Sequence, residues 1–286
     1  FKAPDFRQQF LNFDNGMVGY TIIGARELSN VLQKLKTNGQ FASSVDITPY
    51  LNNKELVPEK SVGINIGFDY THKQNTVFKA NFFRNDITNL IESFTIPFRT
   101  IDNGGFFSYM NVNKVFTTGV ETNFSHRFNK NFNISGGYQF LVAKDKEVLQ
   151  KIKNKEMYRR DPVTNETSLV TKDQYSGLFN RSKHSANMSL RYSNNQYNAS
   201  AFLTAKYRGR FGYNGDNFQN GNAILDDDRE FINGFTLVNA TISKKIATKL
   251  EIQGGIENIL NYTNRLQMPG QYGRSFFINC NLKLEK

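Results

Sequence analysis

The chain has a single cysteine, Cys280, among its 286 residues. One thiol excludes an internal disulfide framework and any zinc site built on several thiolates. Mean hydropathy is -0.53, and no apolar run approaches the roughly 20 residues that a transmembrane helix needs. Spanning strands stay open, because each needs only about 9 to 11 alternating residues. The opening FKAPDFRQQF has neither the basic start nor the apolar run of a secretory leader. Catalytic signatures are missing too: the sequence has no G-x-S-x-G, H-E-x-x-H, C-x-x-C or phosphate-cradling glycine loop. Neither an enzyme nor a cofactor is expected.

Charge of one sign is in excess, at +11, yet the basic residues are scattered. The densest group runs from Lys144 to Arg160, interrupted by Asp145, Glu147 and Glu156. No helix-turn-helix, RNP or zinc-finger pattern accompanies it, which argues against a nucleic-acid partner. That stretch reads as a solvated loop helix of mixed charge. Its functional alternative is attraction of an anionic ligand or of lipopolysaccharide phosphates.

What the chain has in quantity is strand periodicity. In SFFINCNLKLEK, Phe276, Ile278, Cys280, Leu282 and Leu284 alternate with Phe277, Asn279, Asn281, Lys283 and Glu285. In SVGINIGFDY, Val62, Ile64, Ile66, Phe68 and Tyr70 alternate with Gly63, Asn65, Gly67 and Asp69. Four hairpins follow the same rule, with short turns at 71–75, 129–131, 194–195 and 247–248. Long connections separate them at 86–109, 144–183, 210–233 and 258–274. Short and long alternate throughout, the pattern of a membrane barrel with tight periplasmic turns and long extracellular loops. Tyr70, Phe128, Phe132, Tyr192 and Tyr197 sit beside the short turns, where an interfacial girdle belongs. The polar strand faces suit a water-filled or plugged lumen, so the apolar faces are expected to meet lipid.

Several segments then resemble the C-terminal barrel portion of TonB-dependent outer-membrane receptors. FKAPDFRQ at 1–8 is similar to the family's F-R-A-P-S-F motif, and ELVPEKSVGINIGFDY at 55–70 to its L-x-P-E-x-S segment. TTGVETNFSHRFNKNFNISGGYQFLVAKD resembles its G-V-E hairpin, and GIENILNYTN its E-N-L-F-N strand end. The resemblance implies an all-β fold: an antiparallel up-and-down transmembrane β-barrel, here the C-terminal part of a 22-stranded one. Residues 1–286 would form that partial barrel, with nine strands after residue 61 and the plug, the TonB-contacting box and the earlier strands absent. It implies an outer-membrane receptor for energy-coupled import of a scarce ligand such as an iron-siderophore, haem or cobalamin. Partners would be outer-membrane lipid and lipopolysaccharide, a small-molecule ligand, and TonB through the missing N-terminal part. A passive porin or an outer-membrane β-barrel enzyme is the alternative. Two departures from the family pattern stand out. The last strand ends LKLEK rather than on an aromatic residue, and no His lies between Phe1 and Leu56, so a haem ligand is not carried over.

Candidate contacts for the ligand are the loop residues Tyr20, Arg26, Arg159, Arg160 and Tyr213. His72, His126 and His184 read as solvated strand-end residues without metal-ligand spacing. DNFQNGNAILDDDRE places Asp216, Asn220, Gly221 and Asp227 at calcium-loop positions. However, Phe218 occupies a liganding position and no helices flank the loop, so a solvated loop is preferred. ARELSNVLQKL, with Leu28, Val31, Leu32 and Leu35 at helical spacing, predicts a short helix packed within an extracellular loop.

Overall fold

A computed structural model describes residues 1–15, 20–40, 47–51, 55–96, 105–161, 163–212, 224–247, 250–265, 267–268 and 270–282. The chain begins with a small cap: helix α1 (Phe6–Phe10), strands β1 (Asn12–Asn15) and β2 (Tyr20–Ile23), and helices α2 (Leu28–Thr37) and α3 (Thr48–Leu51). Long strands follow: β3 (Lys60–His72), β4 (Thr76–Ile96), β5 (Gly105–Arg127) and β6 (Phe132–Asp145). Helix α4 (Lys146–Lys153) and the small strands β7 (Tyr158–Arg160) and β8 (Thr167–Leu169) lead to β9 (His184–Asn194) and β10 (Ala199–Arg208). The short pair β11 (Phe211–Gly212) and β12 (Phe231–Ile232) precedes β13 (Phe235–Ala247), β14 (Leu250–Glu257) and β15 (Ser275–Leu282).

The nine long strands pair antiparallel in sequence order, β3-β4-β5-β6-β9-β10-β13-β14-β15, as the hairpin count predicts. Among the described residues β3 pairs only with β4 and β15 only with β14, so this arc of wall has two free edges. Register carries the apolar alternation from strand to strand, with one shift between Lys245 and Ala247 at the short-turn end of β13. One row reads Ile134, Leu190, Leu203, Ala240, Ile256, Phe276 across six strands. Another reads Ile66, Phe82, Val120, Phe140. The face between them carries Glu121, Gln139 and Ser185, joined by hydrogen bonds of 2.7 and 3.3 Å.

Among the described residues no second layer covers the apolar face. Ile66 is 68% exposed, Ile242 66% and Ile278 82%, values that a sandwich core would never leave. Such a stripe is stable only against hydrocarbon, because the same area in water would cost about 25 cal/mol per Å2. Ring-bearing side chains crowd the short-turn end of this face. Phe128 and Phe132 lie 5.3 Å apart between centroids, and His126 meets Phe128 edge-on at 4.4 Å.

Two sequence expectations need correction. The connection at 86–109 is far shorter than predicted: β4 and β5 stay paired out to Ile96 and Phe106. Backbone hydrogen bonding continues there although side-chain alternation no longer marks a membrane wall. The turn expected at 194–195 is the four-residue turn 195–198, whereas residues 248–249 of the last short turn lie outside the described residues. The histidines sit at or next to strand ends as expected, His72 and His184 exposed, and two of them have partners. His126 Nδ1 lies 2.7 Å from Thr76 Oγ1, and His184 Nδ1 lies 2.7 Å from the Tyr138 hydroxyl beside the Phe140 ring. Both serve in the ring belts at opposite ends of the wall.

Candidate functional site

The described parts of the long connections leave one rim and fold there into a layer with cores of its own. In the first unit α2 forms as its spacing predicts and turns Leu28 and Leu32 inward against Ile23, Ile47 and Phe106. Each such side chain contributes about 1.5 to 3 kcal/mol on burial. Strand β2 adds to the projecting end of β5 in parallel, Tyr20 opposite Gly105 and Ile22 opposite Phe107. That arrangement ties residues 20–40 to the β4–β5 hairpin.

Two of the quoted motifs meet at the base of this unit. Asp5 caps α1, accepting from Gln8 N at 2.7 Å, while the Gln8 side chain accepts from Asp5 N at 3.0 Å. Lys2 and Glu59 pair as an antiparallel bridge, and Lys2 Nζ lies 3.2 Å from the Glu59 carboxylate. The same carboxylate accepts the Ile91 amide at 3.0 Å, fastening the start of β3 to β4. Gly24 is required where the chain returns over α1, since a Cβ there would lie 2.4 Å from Phe10 N.

The second unit joins residues 146–183 to residues 209–234. Ile152, Val170, Tyr175 and Ile224 form its core, with Val148 and Leu149 of α4 packed beside them. Asp145 caps α4 through Glu147 N at 2.7 Å. Arg159 donates to Asp226 O at 3.0 Å and stands 3.6 Å from the Asp227 carboxylate. Asp227 in turn caps the 3-10 turn Asp228–Glu230, and its pKa is held down at about 2, chiefly by the Arg229 guanidinium. An open polar cleft of about 480 Å3 is lined by Arg159, Asp161, Glu166, Thr167, Ser168 and Gln174. The E-N-L-F-N-like end of β14 has a structural job: Asn258 is buried, donates to Tyr262 O and Tyr272 O at 2.8 Å, and accepts from Tyr262 N at 3.0 Å.

The predicted contact residues fall into both units. Tyr20 is half-buried in β2 with its ring edge-on to Phe107 at 6.3 Å. Arg26 is exposed, lies 5.0 Å over the Phe10 ring and is ion-paired with Glu55. Arg159 is the strut between two loops just described. Arg160 is exposed on β7 beside it. Tyr213 lies outside the described residues, as do Asp216, Asn220 and Gly221 of the calcium-like stretch. Among the described residues no three His, Cys, Asp or Glu side chains group closely enough to hold a metal ion.

Among the described residues, an apolar wall without a covering layer, a polar inner face and loops folded at one rim are the features of an arc of membrane-barrel wall. Residues 1–259 match the sequence profile of the TonB dependent receptor-like β-barrel. The chain belongs to the TonB-dependent receptor family. It is an outer-membrane protein of the Gram-negative kind, in a family of receptors and transporters rather than enzymes. No curated protein sequence matches the chain. Among solved structures it is similar to a G324V mutant of the ferric enterobactin receptor PfeA from Pseudomonas aeruginosa. That match has 18% identity and a TM-score of 0.51, covering 79% of this chain and 31% of that one. The ferric-catecholate import receptor Fiu from E. coli gives 18% identity and a TM-score of 0.51, over 85% of this chain and 30% of the other. The copper transporter OprC gives 15% and 0.51, over 79% and 31%. At these identities the likeness is one of fold, and the chain spans about a third of each receptor's length.

Proposed function

We propose that this TonB-dependent barrel segment belongs to a receptor that imports a scarce metal-chelate ligand, of which iron-siderophores are the leading class, with energy delivered through TonB. The observation that carries the reading is the loop layer. Two units with packed cores stand over one rim of a wall whose inner face is polar, an arrangement suited to capturing a ligand above a lumen. The similar solved structures include receptors named for ferric enterobactin and ferric catecholates, which supports the same class. The contacts assigned are Tyr20, Arg26, Arg159, Arg160 and Tyr213. Exposed Arg160 and the cleft beside Arg159 suit an anionic chelate, because guanidinium groups bind carboxylate and catecholate oxygens in pairs.

The 22-stranded barrel with an internal plug is part of the same proposal. The Lys2–Glu59 bridge supports it, since a strand leading into Lys2 would continue antiparallel along the free edge of β3. Energy-dependent uptake is the test. Cells lacking the full-length protein should lose uptake of a labelled ferric siderophore under iron limitation, and an uncoupler should abolish it in cells that have the protein. Uptake that persists in uncoupled cells would mean a passive pore instead. Hydrolysis of the ligand by purified protein would mean an enzyme.

A further inference from the structure

The short turns form one continuous rim rather than separate fingers. Arg127 N donates to Asn75 O at 2.7 Å, Ser193 N to Asn131 O at 2.8 Å and Lys245 N to Asn198 O at 2.9 Å, so three turns are each tied to the strand beside them. Neighbouring hairpins stand about 10 Å apart, twice the strand spacing. The tip residues 73–75, 129–131 and 195–198 are Lys73, Lys130, Tyr197 and seven Asn or Gln. Charge is gathered here as well. Within 69–79, 123–135, 188–202 and 241–253, eight lysines and arginines stand against two carboxylates, Asp69 and Glu251, and the net +6 is more than half of the chain's +11. At the loop rim carboxylates take up cations, as in Lys2–Glu59, Arg181–Glu92 and Arg210–Asp228. At the short-turn rim Lys79 pairs with Asp69. In contrast, Lys73, Arg127, Lys130, Arg191, Lys244 and Lys245 are exposed and have no carboxylate partner among the described residues.

We propose that this rim docks the barrel on the peptidoglycan layer, with Lys73, Arg127 and Lys130 binding carboxylates of its peptide stems and the tip amides binding its sugar and peptide groups. The short turns of a barrel of this family open on the periplasm, where that layer is the polyanion lying beneath. Lys73 and Lys130 stand at hairpin tips, and Arg127 shares the inner side of the wall with Asn133 and Arg191, so all three are turned away from lipid head groups. Lys244, on the outward face with Ile242, is left to the lipid. A folded protein partner would need an apolar centre. The exposed rings Tyr70, Phe128 and Tyr192 belong to the outward belt, which leaves Tyr197 as the one apolar side chain at these tips. Turn geometry accounts for the asparagines but does not call for cations. A repeating polymer of carboxylates and sugars needs no apolar centre, because many weak contacts along a rigid rim compound.

The test is co-sedimentation of the full-length receptor, purified in detergent, with isolated peptidoglycan sacculi. K73Q/R127Q/K130Q should bind about tenfold less tightly, the compound of three surface charge pairs, and K73R/R127K/K130R should bind as the native protein does. K151Q/K153Q/K155Q, which removes as much charge from the loop rim, should bind normally. Salt at about 1 M should release the native protein, since screening then acts within about 3 Å. Sacculi with amidated carboxylates should not retain it. Heat-modifiability reports that each variant is folded. Native-level binding by K73Q/R127Q/K130Q, equal retention on amidated sacculi, an equal loss in K151Q/K153Q/K155Q, or ready displacement by phosphatidylglycerol in the same detergent would each overturn the proposal. The measurement needs no imported ligand, so its failure would leave the import reading untouched.

Discussion

The wall and the loop layer solve the same problem in opposite ways. In the wall, backbone pairing runs unbroken across nine strands while the apolar side chains stay exposed. In the loop layer, strands are short and helices few, yet Ile23, Leu28, Leu32, Phe106, Ile232 and Leu225 are at most 2% exposed. The buried core of this protein therefore gathers in the loop layer and the strand ends that it packs on, not along the apolar face of the wall. Water drives the loop units together, and lipid must complete the wall. Substitutions that look alike should behave differently in the two regions.

The largest effect is expected in the cap. Leu32→Ala should cost the first loop unit about 4 kcal/mol, because a fully buried leucine leaves a cavity against Ile23 and Phe106. Hydrogen exchange should show residues 20–40 opening while the wall stays protected. In the wall, Leu203→Arg should cost about 3 kcal/mol of folding into lipid vesicles, whereas Thr204→Arg on the adjacent inner position should cost well under 1 kcal/mol. Equal costs would mean that both faces see one environment. Asn258→Ala removes three hydrogen bonds at a residue with φ of 49°, and should loosen the connection 258–274 by about 2 kcal/mol. Protease sensitivity confined to that connection would report it.

Acid should act on the loop layer through Asp227. Its folded pKa of about 2 lies below the ordinary 3.8, so its stabilisation is present above about pH 4 and is lost as pH falls through 2. With screening the loss is about 1 kcal/mol, and Asp227→Asn should abolish that part of the pH dependence in exchange at residues 224–232. The smallest effect belongs to the first tight turn. Lys73 and Gln74 have φ of 47° and 57°, a conformation that asparagine and glycine adopt more easily. Lys73→Asn with Gln74→Gly should raise wall stability by about 0.5 kcal/mol in urea titrations in lipid vesicles.

Much of the wall was legible because a half-buried sheet repeats every two residues. The alternation in SVGINIGFDY and SFFINCNLKLEK fixed faces, and the alternation of short and long connections fixed the rims. Helix α2 was legible from Leu28, Leu32 and Leu35 for the same reason at another period. What escaped was whatever depends on pairing between distant segments. The parallel contact of β2 with β5 has no local signal, and β4 and β5 extend beyond the alternating region by backbone bonds that any residue can make. The site residues were least legible. The sequence marks Arg159 as a candidate loop contact for the ligand, but its partner Asp226 lies 67 residues away, and only the folded loops show that it joins them. Likewise Arg84 and Lys146 look like unrelated surface charges until the register puts both beside Asp86.

The orientation of the wall's faces underlies every reading above, and spin labels along β10 test it most directly. Single nitroxides at positions 201 to 207 of the full-length receptor in lipid vesicles, with Cys280 replaced by serine, would be scanned for collision with oxygen and with a water-soluble nickel chelate. The predicted result is oxygen access at 201, 203, 205 and 207 alternating with chelate access at 202, 204 and 206. The reverse alternation would place the apolar face toward an interior and contradict the account.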